Sequence, residues 1–153
     1  LPGTSAADDL GIFGAWATNS PVIRTYDVKS AGAVTLRARL VLTVPVEYDA
    51  GETFTIRIRA GMKTTIASVS ATVDCEAYRA DGDSTISADL VTTSATTINS
   101  LTKANVDFTV TPTTLVAGDQ LDVRITIAIN DASAVTAVLG EISKISLQCD
   151  VRG

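Results

Sequence analysis

The chain contains no histidine, the side chain that most often acts as a general base near neutral pH. Without it, neither a Ser-His-Asp triad nor a Cys-His pair can be assembled. Pairs of carboxylates could still serve a glycosidase. The candidate pairs are Asp8/Asp9, Glu47/Asp49 and Asp81/Asp83. All of them lie in turn-rich polar stretches, where solvated acids are the ordinary finding. The sequence therefore predicts no catalytic residues, a protein that is not an enzyme, and no cofactor.

Two further features have the residue types of a metal site or a crosslink. Asp81-Gly82-Asp83-Ser84, together with Asp89, could offer oxygen ligands to calcium, but the stretch lacks the acid spacing and distal glutamate of a calcium loop. A structural turn suits it better. Cys75 and Cys149 lie on separate predicted strands, and without histidine they make no zinc site. We expect two buried thiols, with a disulfide as the alternative, and no metal.

Charge and hydropathy narrow the classes of partner. The net charge of −5 and the pI near 4.5 argue against binding to a nucleic-acid backbone. No apolar run approaches the roughly 20 residues of a membrane helix, so we expect neither nucleic acid nor membrane as a partner. Acidic residues outnumber basic ones by nine to four in residues 81–153, which predicts one acidic end or face. The chain begins at Leu1 rather than Met, so a preceding targeting segment stays open.

One stretch of the chain occurs twice. At Pro45 a proline opens a polar turn, Ala50-Gly51-Glu52 closes it, and an alternating strand follows. The same pattern returns at Pro112 and Ala117-Gly118-Asp119. The offset is constant, because 112 − 45, 118 − 51 and 124 − 57 all equal 67. The repeat predicts two similarly built halves.

Apolar and polar residues alternate along most of the chain after residue 21, which is the pattern of half-buried β-strands. The inward-facing residues of the clearest strands are Val34, Leu36, Ala38, Leu40, Leu42 and Val44; Phe54, Ile56 and Ile58; Val69, Ala71, Val73, Cys75 and Ala77; Val106, Phe108 and Val110; and Leu121, Val123, Ile125, Ile127 and Ile129. Shorter strands are predicted near 22–28, 86–91, 96–101, 135–139 and 145–151. Residues 22–153 are therefore predicted to form an all-β domain, a two-sheet antiparallel β-sandwich with jelly-roll topology.

Residues 1–21 are predicted to form an irregular N-terminal arm, because breaker residues flank a short apolar stretch. The arm contains Phe13 and Trp16, the only tryptophan of the chain. Two interpretations stay open. These aromatic side chains close one end of the domain's own core, or they dock on a neighbouring subunit.

Four arginines fall on the outward face of the strands that flank the first turn: Arg37, Arg39, Arg57 and Arg59. If those strands form a hairpin, Arg39 faces Arg57 and Arg37 faces Arg59. Such opposed like charges need acidic partners, which another copy or another protein could supply. A solvated basic surface is the alternative, and a connection that crosses between sheets would separate the pairs. Phe13, Trp16 and the four arginines are the candidate partner-contact residues.

A carbohydrate-binding module is an alternative function for a β-sandwich. Such modules need exposed aromatic side chains that stack on sugar rings. The alternation buries Phe54 and Phe108, whereas Tyr48 and Tyr78 could be exposed. Two scattered tyrosines make only a thin platform.

The order of several short strings resembles that of small jelly-roll structural proteins of tailed bacteriophages. The strings are Val44-Pro45-Val46-Glu47-Tyr48-Asp49-Ala50-Gly51-Glu52, Ala80-Asp81-Gly82-Asp83, Ala117-Gly118-Asp119-Gln120-Leu121-Asp122-Val123-Arg124-Ile125 and Leu139-Gly140-Glu141-Ile142. The resemblance spans roughly residues 34–151. It lies in the pattern of turns and strands rather than in a signature of invariant residues.

The resemblance implies a virion protein, a capsid decoration or cement protein that binds the assembled head and stabilises it. It further implies a homotrimer whose partners are its own copies and the major capsid protein. The implied location is the capsid surface, after assembly in the host cytoplasm, and the arm is similar to extensions that such proteins lay over a neighbour. A tail or head-fibre module is the alternative within the same class.

Overall fold

A computed structural model of the chain describes residues 9–14, 20–28, 32–64, 70–80, 86–131 and 137–152. Within these residues the regular structure is two antiparallel β-sheets and one short 3-10 helix at Pro112–Thr114. The strands are β1 (Gly11–Phe13), β2 (Val22–Arg24), β3 (Gly32–Thr43), β4 (Phe54–Thr64), β5 (Ser70–Ala80), β6 (Thr96–Thr97), β7 (Ala104–Val110), β8 (Gln120–Asp131) and β9 (Leu139–Cys149). None of the described segments is a helix with the length and hydropathy needed to span a membrane.

The strand order confirms the predicted jelly roll. One sheet, here the β4 sheet, has the order β1-β2-β9-β4-β7, and the other, the β3 sheet, has the order β3-β8-β5-β6. From β2 to β9 the chain changes sheet at every connection except β5 to β6. The alternating apolar residues of both sheets face each other and form one core, as the period-2 pattern predicts.

The repeated turn has the same hydrogen bonds in both copies. Tyr48 N–H donates to the Pro45 carbonyl oxygen at 3.0 Å, and Leu115 N–H, 67 residues later, donates to that of Pro112 at 3.0 Å. Each Ala-Gly-acid step is then closed by a second bond. These bonds run from Glu52 N–H to the Asp49 oxygen and from Asp119 N–H to the Val116 oxygen, both at 3.1 Å. The sequence repeat is therefore a structural repeat.

The offset of 67 residues also relates the two sheets. Adding 67 to residue numbers 37–43 of β3 and 54–64 of β4 gives positions in β7 and β8. In the two sheet orders, β9 takes the place that β5 has, and β2 takes the place that β6 has. The two turns lie side by side, since Val44 N–H donates to the Asp119 oxygen at 2.9 Å and Gly118 N–H to the Val44 oxygen at 3.0 Å. The predicted two halves are thus related by an approximate internal symmetry, and both turns lie at one end of the sandwich, the doubled-turn end.

Alanine at Gly51 or Gly118 is expected to lower the free energy of unfolding by about 1–2 kcal/mol in each case, because a Cβ is strained at positive φ. The φ values are 94° and 89°, and a Cβ at either position would meet no atom within 4 Å, so backbone strain is the only effect. Urea denaturation of each variant measures the loss. Asparagine, which tolerates this region better, is the control and should cost less. A neutral alanine at one site would show that the two turns are not equivalent.

Several short strands predicted from the sequence differ in the structure. Residues near 86–91 and 96–101 give single bridges at Ile86 and Val91 and the two-residue strand β6. Residues 135 and 136 of the strand predicted near 135–139 lie outside the described residues, and the strand predicted near 145–151 is part of a longer strand, β9, that begins at Leu139. The β4–β9 register shifts between Arg59 and Ala60, and this bulge interrupts the alternation, which made one strand look like two.

Part of the arm predicted as irregular is a strand. Within residues 9–14, Gly11–Phe13 pairs with β2, and the Leu10 N–H donates to the Arg37 carbonyl oxygen of β3 at 2.9 Å. Leu10 is buried. The segment therefore bonds to one strand of each sheet and covers the gap between their edges, a pairing that short apolar stretches between breaker residues do not reveal.

Candidate functional site

The four candidate arginines lie on opposite outer faces of the sandwich. The connection from β3 to β4 crosses between sheets, so the hairpin pairing of Arg39 with Arg57 and of Arg37 with Arg59 is wrong. Strand β3 pairs with β8 instead, and this places Arg39 opposite Arg124. Two like charges therefore do face each other, but the second comes from a strand 85 residues away.

Carboxylates of the same chain compensate these opposed arginines. The Arg39 Nε donates to both Asp122 oxygens, at 2.7 and 2.9 Å, and Arg124 forms a two-nitrogen pair with Glu76. The hydrogen bond from Arg124 lowers the pKa of Glu76, and the hydrogen bond that Arg39 donates to Asp122 raises the pKa of Arg39. The outer face of the β3 sheet therefore carries two ion pairs, each of which joins side chains on adjacent strands.

The arginines of β4 show the same compensation on the other sheet. Arg57 donates through Nε and Nη2 to the two Asp107 oxygens, each at 2.6 Å, and this pair lowers the pKa of Asp107. Arg59 is exposed. Because the acidic partners of Arg39 and Arg57 lie in the same chain, the charge argument for an intermolecular acidic partner no longer applies to them.

A groove of about 790 Å³ crosses the outer face of the β3 sheet. We call it the β3-sheet groove. Its polar lining comes from Asp9, Arg37, Arg39, Tyr78, Asp122 and Arg124, and its apolar lining from Leu10, Ile12, Ile23, Ala38 and Ile86. Two of the candidate partner-contact residues, Arg37 and Arg39, are thus brought together here, whereas Arg57 and Arg59 are on the other sheet.

The aromatic residues are only partly where the alternation predicts. Phe54 and Phe108 are buried as expected, but Tyr48, predicted as a possible exposed platform, is fully buried. It packs edge-on against Phe54 at 5.5 Å between ring centroids. Tyr78 is half-buried, and its hydroxyl donates to Glu76 at 3.0 Å. Trp16 lies outside the described residues.

Phe13 is half-buried beneath the guanidinium of Arg24, whose Cζ lies 3.9 Å from the ring centroid. Arg24 also approaches Glu141, at 4.0 Å, and Lys103 Nζ binds the other oxygen of Glu141 at 2.7 Å. Phe13 therefore contacts Arg24 of its own domain, and both interpretations of the arm stay predictions. The cluster of Phe13, Arg24, Lys103 and Glu141 joins residues that are far apart in the chain, and no sequence pattern relates them.

Both cysteines are free thiols, as expected. Cys75 is buried, and burial raises the pKa of its thiol to about 12. Cys149 is half-buried, with a pKa also raised by burial. Among the described residues no group of three or more histidine, cysteine, aspartate or glutamate side chains could hold a metal ion. The turn at residues 81–84 lies outside the described residues.

The doubled-turn end carries exposed valines. Val46 is 74%, Val116 52% and Val151 58% exposed. Val46 and Val116 belong to the two adjacent turns, and Val151 lies beside the first turn because it pairs with Tyr48. Carboxylates flank the three valines in sequence at Glu47, Asp49, Asp119 and Asp150. This end therefore combines exposed apolar side chains with an acidic border. Two arginines compensate part of the border, Arg152 through Asp49 at 3.4 Å and Arg79 through Asp119 at 4.0 Å.

Comparison with known proteins assigns no family. No family model matches the chain, and no curated protein matches it. A solved structure described as "CBM4 structure and function" is similar over 92% of this chain and 92% of its own length, with 18% sequence identity and a TM-score of 0.40. A similarity of this size is too low to assign a function.

Proposed function

We propose that the protein is a capsid decoration (cement) protein that binds an assembled phage head through its doubled-turn end. The jelly-roll topology agrees with the phage-like pattern of residues 34–151. The observation that carries the proposal is the group of three exposed valines, Val46, Val116 and Val151. They come from three separate segments that hydrogen bonds hold together at one end of the sandwich.

Single exposed apolar residues are ordinary on protein surfaces, but a group of them with a polar border is typical of an interaction site. The backbone beneath this group is fixed. The turns bond to each other through Val44, and the Arg152 N–H donates to the Glu47 oxygen at 2.9 Å. A fixed surface loses little conformational entropy on docking.

The acidic border sets the expected chemistry of the partner. Glu47 and Asp150 are next to Val46 and Val151 in sequence, so a capsid surface with exposed apolar residues and basic neighbours is the complementary partner.

The triple change V46S/V116S/V151S is expected to weaken binding to expanded heads by about tenfold or more. The heads should be assembled from the major capsid protein encoded nearest to this gene, and co-sedimentation with a dilution series measures the affinity. All three positions are exposed, so the stability of the fold should change little.

Leu101→Ser is the matched control, because Leu101 is 64% exposed and lies in the loop that contacts Met62, at the opposite end of the sandwich. It should bind heads as the unmodified protein does. If the unmodified protein does not sediment with heads, the proposed function is wrong. If it does and the triple variant binds equally well, the doubled-turn end is not the docking surface.

A further inference from the structure

We propose that the β3-sheet groove binds a neutral oligosaccharide, a function beyond docking on a phage head. The groove runs across the strands rather than along them. It extends from Ile86, which bridges to Ala80 of β5, over β8 and β3 to Asp9, which bridges to Arg37. Since neighbouring strands lie about 4.8 Å apart, these steps cover about 19 Å. That length accommodates several linked sugar rings.

The charges of the groove favour a neutral ligand. Arg39 is paired with Asp122 and Arg124 with Glu76, so these two arginines have their carboxylate partners within the chain. A charged polymer would compete with these ion pairs, whereas a neutral ligand leaves both of them intact.

The ion pairs also leave hydrogen-bonding groups in fixed positions. Both arginines bind their carboxylates through Nε and Nη2, so the N–H groups of Nη1 lie outside these pairs. The side chains of Arg39 and Arg124 are 59% and 48% exposed. Carboxylate oxygens have further lone pairs that can accept. Sugar hydroxyls donate and accept, and a face that presents both kinds of group in rigid pairs is suited to them.

Apolar side chains stand beside these polar groups. Ile12 is 72% exposed and Ile86 59% exposed, one near each end of the groove, and Tyr78 lies between them on β5. A pyranose ring has a C–H face as well as hydroxyls, so it can contact such side chains while its hydroxyls reach the ion pairs.

An extended peptide fits this groove less well. Peptides that add to a sheet need an unpaired strand edge with its backbone N–H and C=O groups. Here the floor consists of side chains on the outer face of paired strands. At the β3 edge, the Arg37 carbonyl oxygen already accepts a hydrogen bond from Leu10.

Isothermal titration of the full chain with cellohexaose, xylohexaose, laminarihexaose and maltohexaose tests the proposal. At least one of them should bind with a Kd of about 1 mM or below. The affinity should stay the same from about 50 to 500 mM NaCl, because no net charge is neutralised. Tyr78→Ala and Ile86→Asp should each weaken binding about tenfold, and Ile86→Asp changes an exposed side chain with little risk to the fold.

Arg57→Ala, on the opposite sheet, is the matched control and should bind like the unmodified chain. A heparin hexasaccharide serves as the anionic probe. The proposal is wrong if no neutral hexasaccharide binds, if only heparin binds with an affinity that falls with salt, or if Ile86→Asp binds as tightly as the unmodified chain. The measurement uses the protein without heads, so its result is independent of the result for capsid docking.

Discussion

Replacing Tyr48 by alanine is expected to lower the free energy of unfolding by about 3–5 kcal/mol, the range for truncating a large aromatic side chain in a core. Tyr48 is fully buried, its ring meets Phe54 edge-on, and its hydroxyl donates to the Glu52 carbonyl oxygen at 2.7 Å. The substitution removes all these contacts at a turn where the chain crosses between sheets. Urea denaturation measures the change.

Two variants separate the contributions. Tyr48→Phe keeps the ring and loses the hydroxyl, so it should cost about 1 kcal/mol. Leu115→Ala, at the equivalent position of the second turn, should cost about 2–5 kcal/mol because Leu115 is also buried. If Tyr48→Ala were no more destabilising than Tyr48→Phe, the ring would not be part of the core and the packing described for this turn would be wrong.

The sequence predicted the parts of the fold that depend on neighbouring residues. The doubled turn was recognisable because its proline, glycine and acidic residue act over eight positions, and glycine is the residue that the positive φ favours. The alternating strands were recognisable for a similar reason, since a period of two follows from the pleat of one strand. Together with the repeat, these local signals led to the jelly roll.

Local sequence patterns could not predict which distant strands pair with each other. The outward position of Arg39 followed from its own strand, but its neighbour Arg124 and its partner Asp122 depend on which strand lies beside β3. A turn that continues as a hairpin and one that crosses to the other sheet have the same local pattern. The sequence therefore predicted correctly that each arginine faces outward from its strand. It predicted wrongly that the arginines of β3 and β4 share one surface, because the two strands belong to different sheets.

The two candidate surfaces were missed for the same reason. The β3-sheet groove combines residues 9–12, 37–39, 78, 86 and 122–124, and no spacing in the sequence relates them. The exposed valines of the doubled-turn end looked like ordinary strand and turn residues, because Val151 reaches the first turn only through its pairing with Tyr48. Only the excess of acidic residues in the second half of the chain pointed towards an acidic end.

The second large effect on stability is expected at Glu141. Replacing Glu141 by alanine is expected to lower the free energy of unfolding by about 3 kcal/mol, the lower end of the range for removing one partner of a buried ion pair. Glu141 is 7% exposed and holds Lys103 at 2.7 Å. Its cross-strand partner is Gly61, where a Cβ would meet the Lys103 backbone at 3.0 Å. Glycine thus leaves the space through which Lys103 reaches the carboxylate.

Without Glu141, the positive charges of Lys103 and Arg24, whose side chains are 27% and 18% exposed, lose their shared carboxylate, and this is the source of the expected loss. The double change E141L/K103M removes both members of the short pair and should recover much of the stability, because no unpaired buried charge remains at their positions. Asp107→Ala, which breaks the exposed pair with Arg57, is the matched control and should cause a much smaller loss. Urea denaturation at constant salt compares the three variants. Equal losses for Glu141→Ala and Asp107→Ala would show that burial of the pair does not determine its contribution to stability.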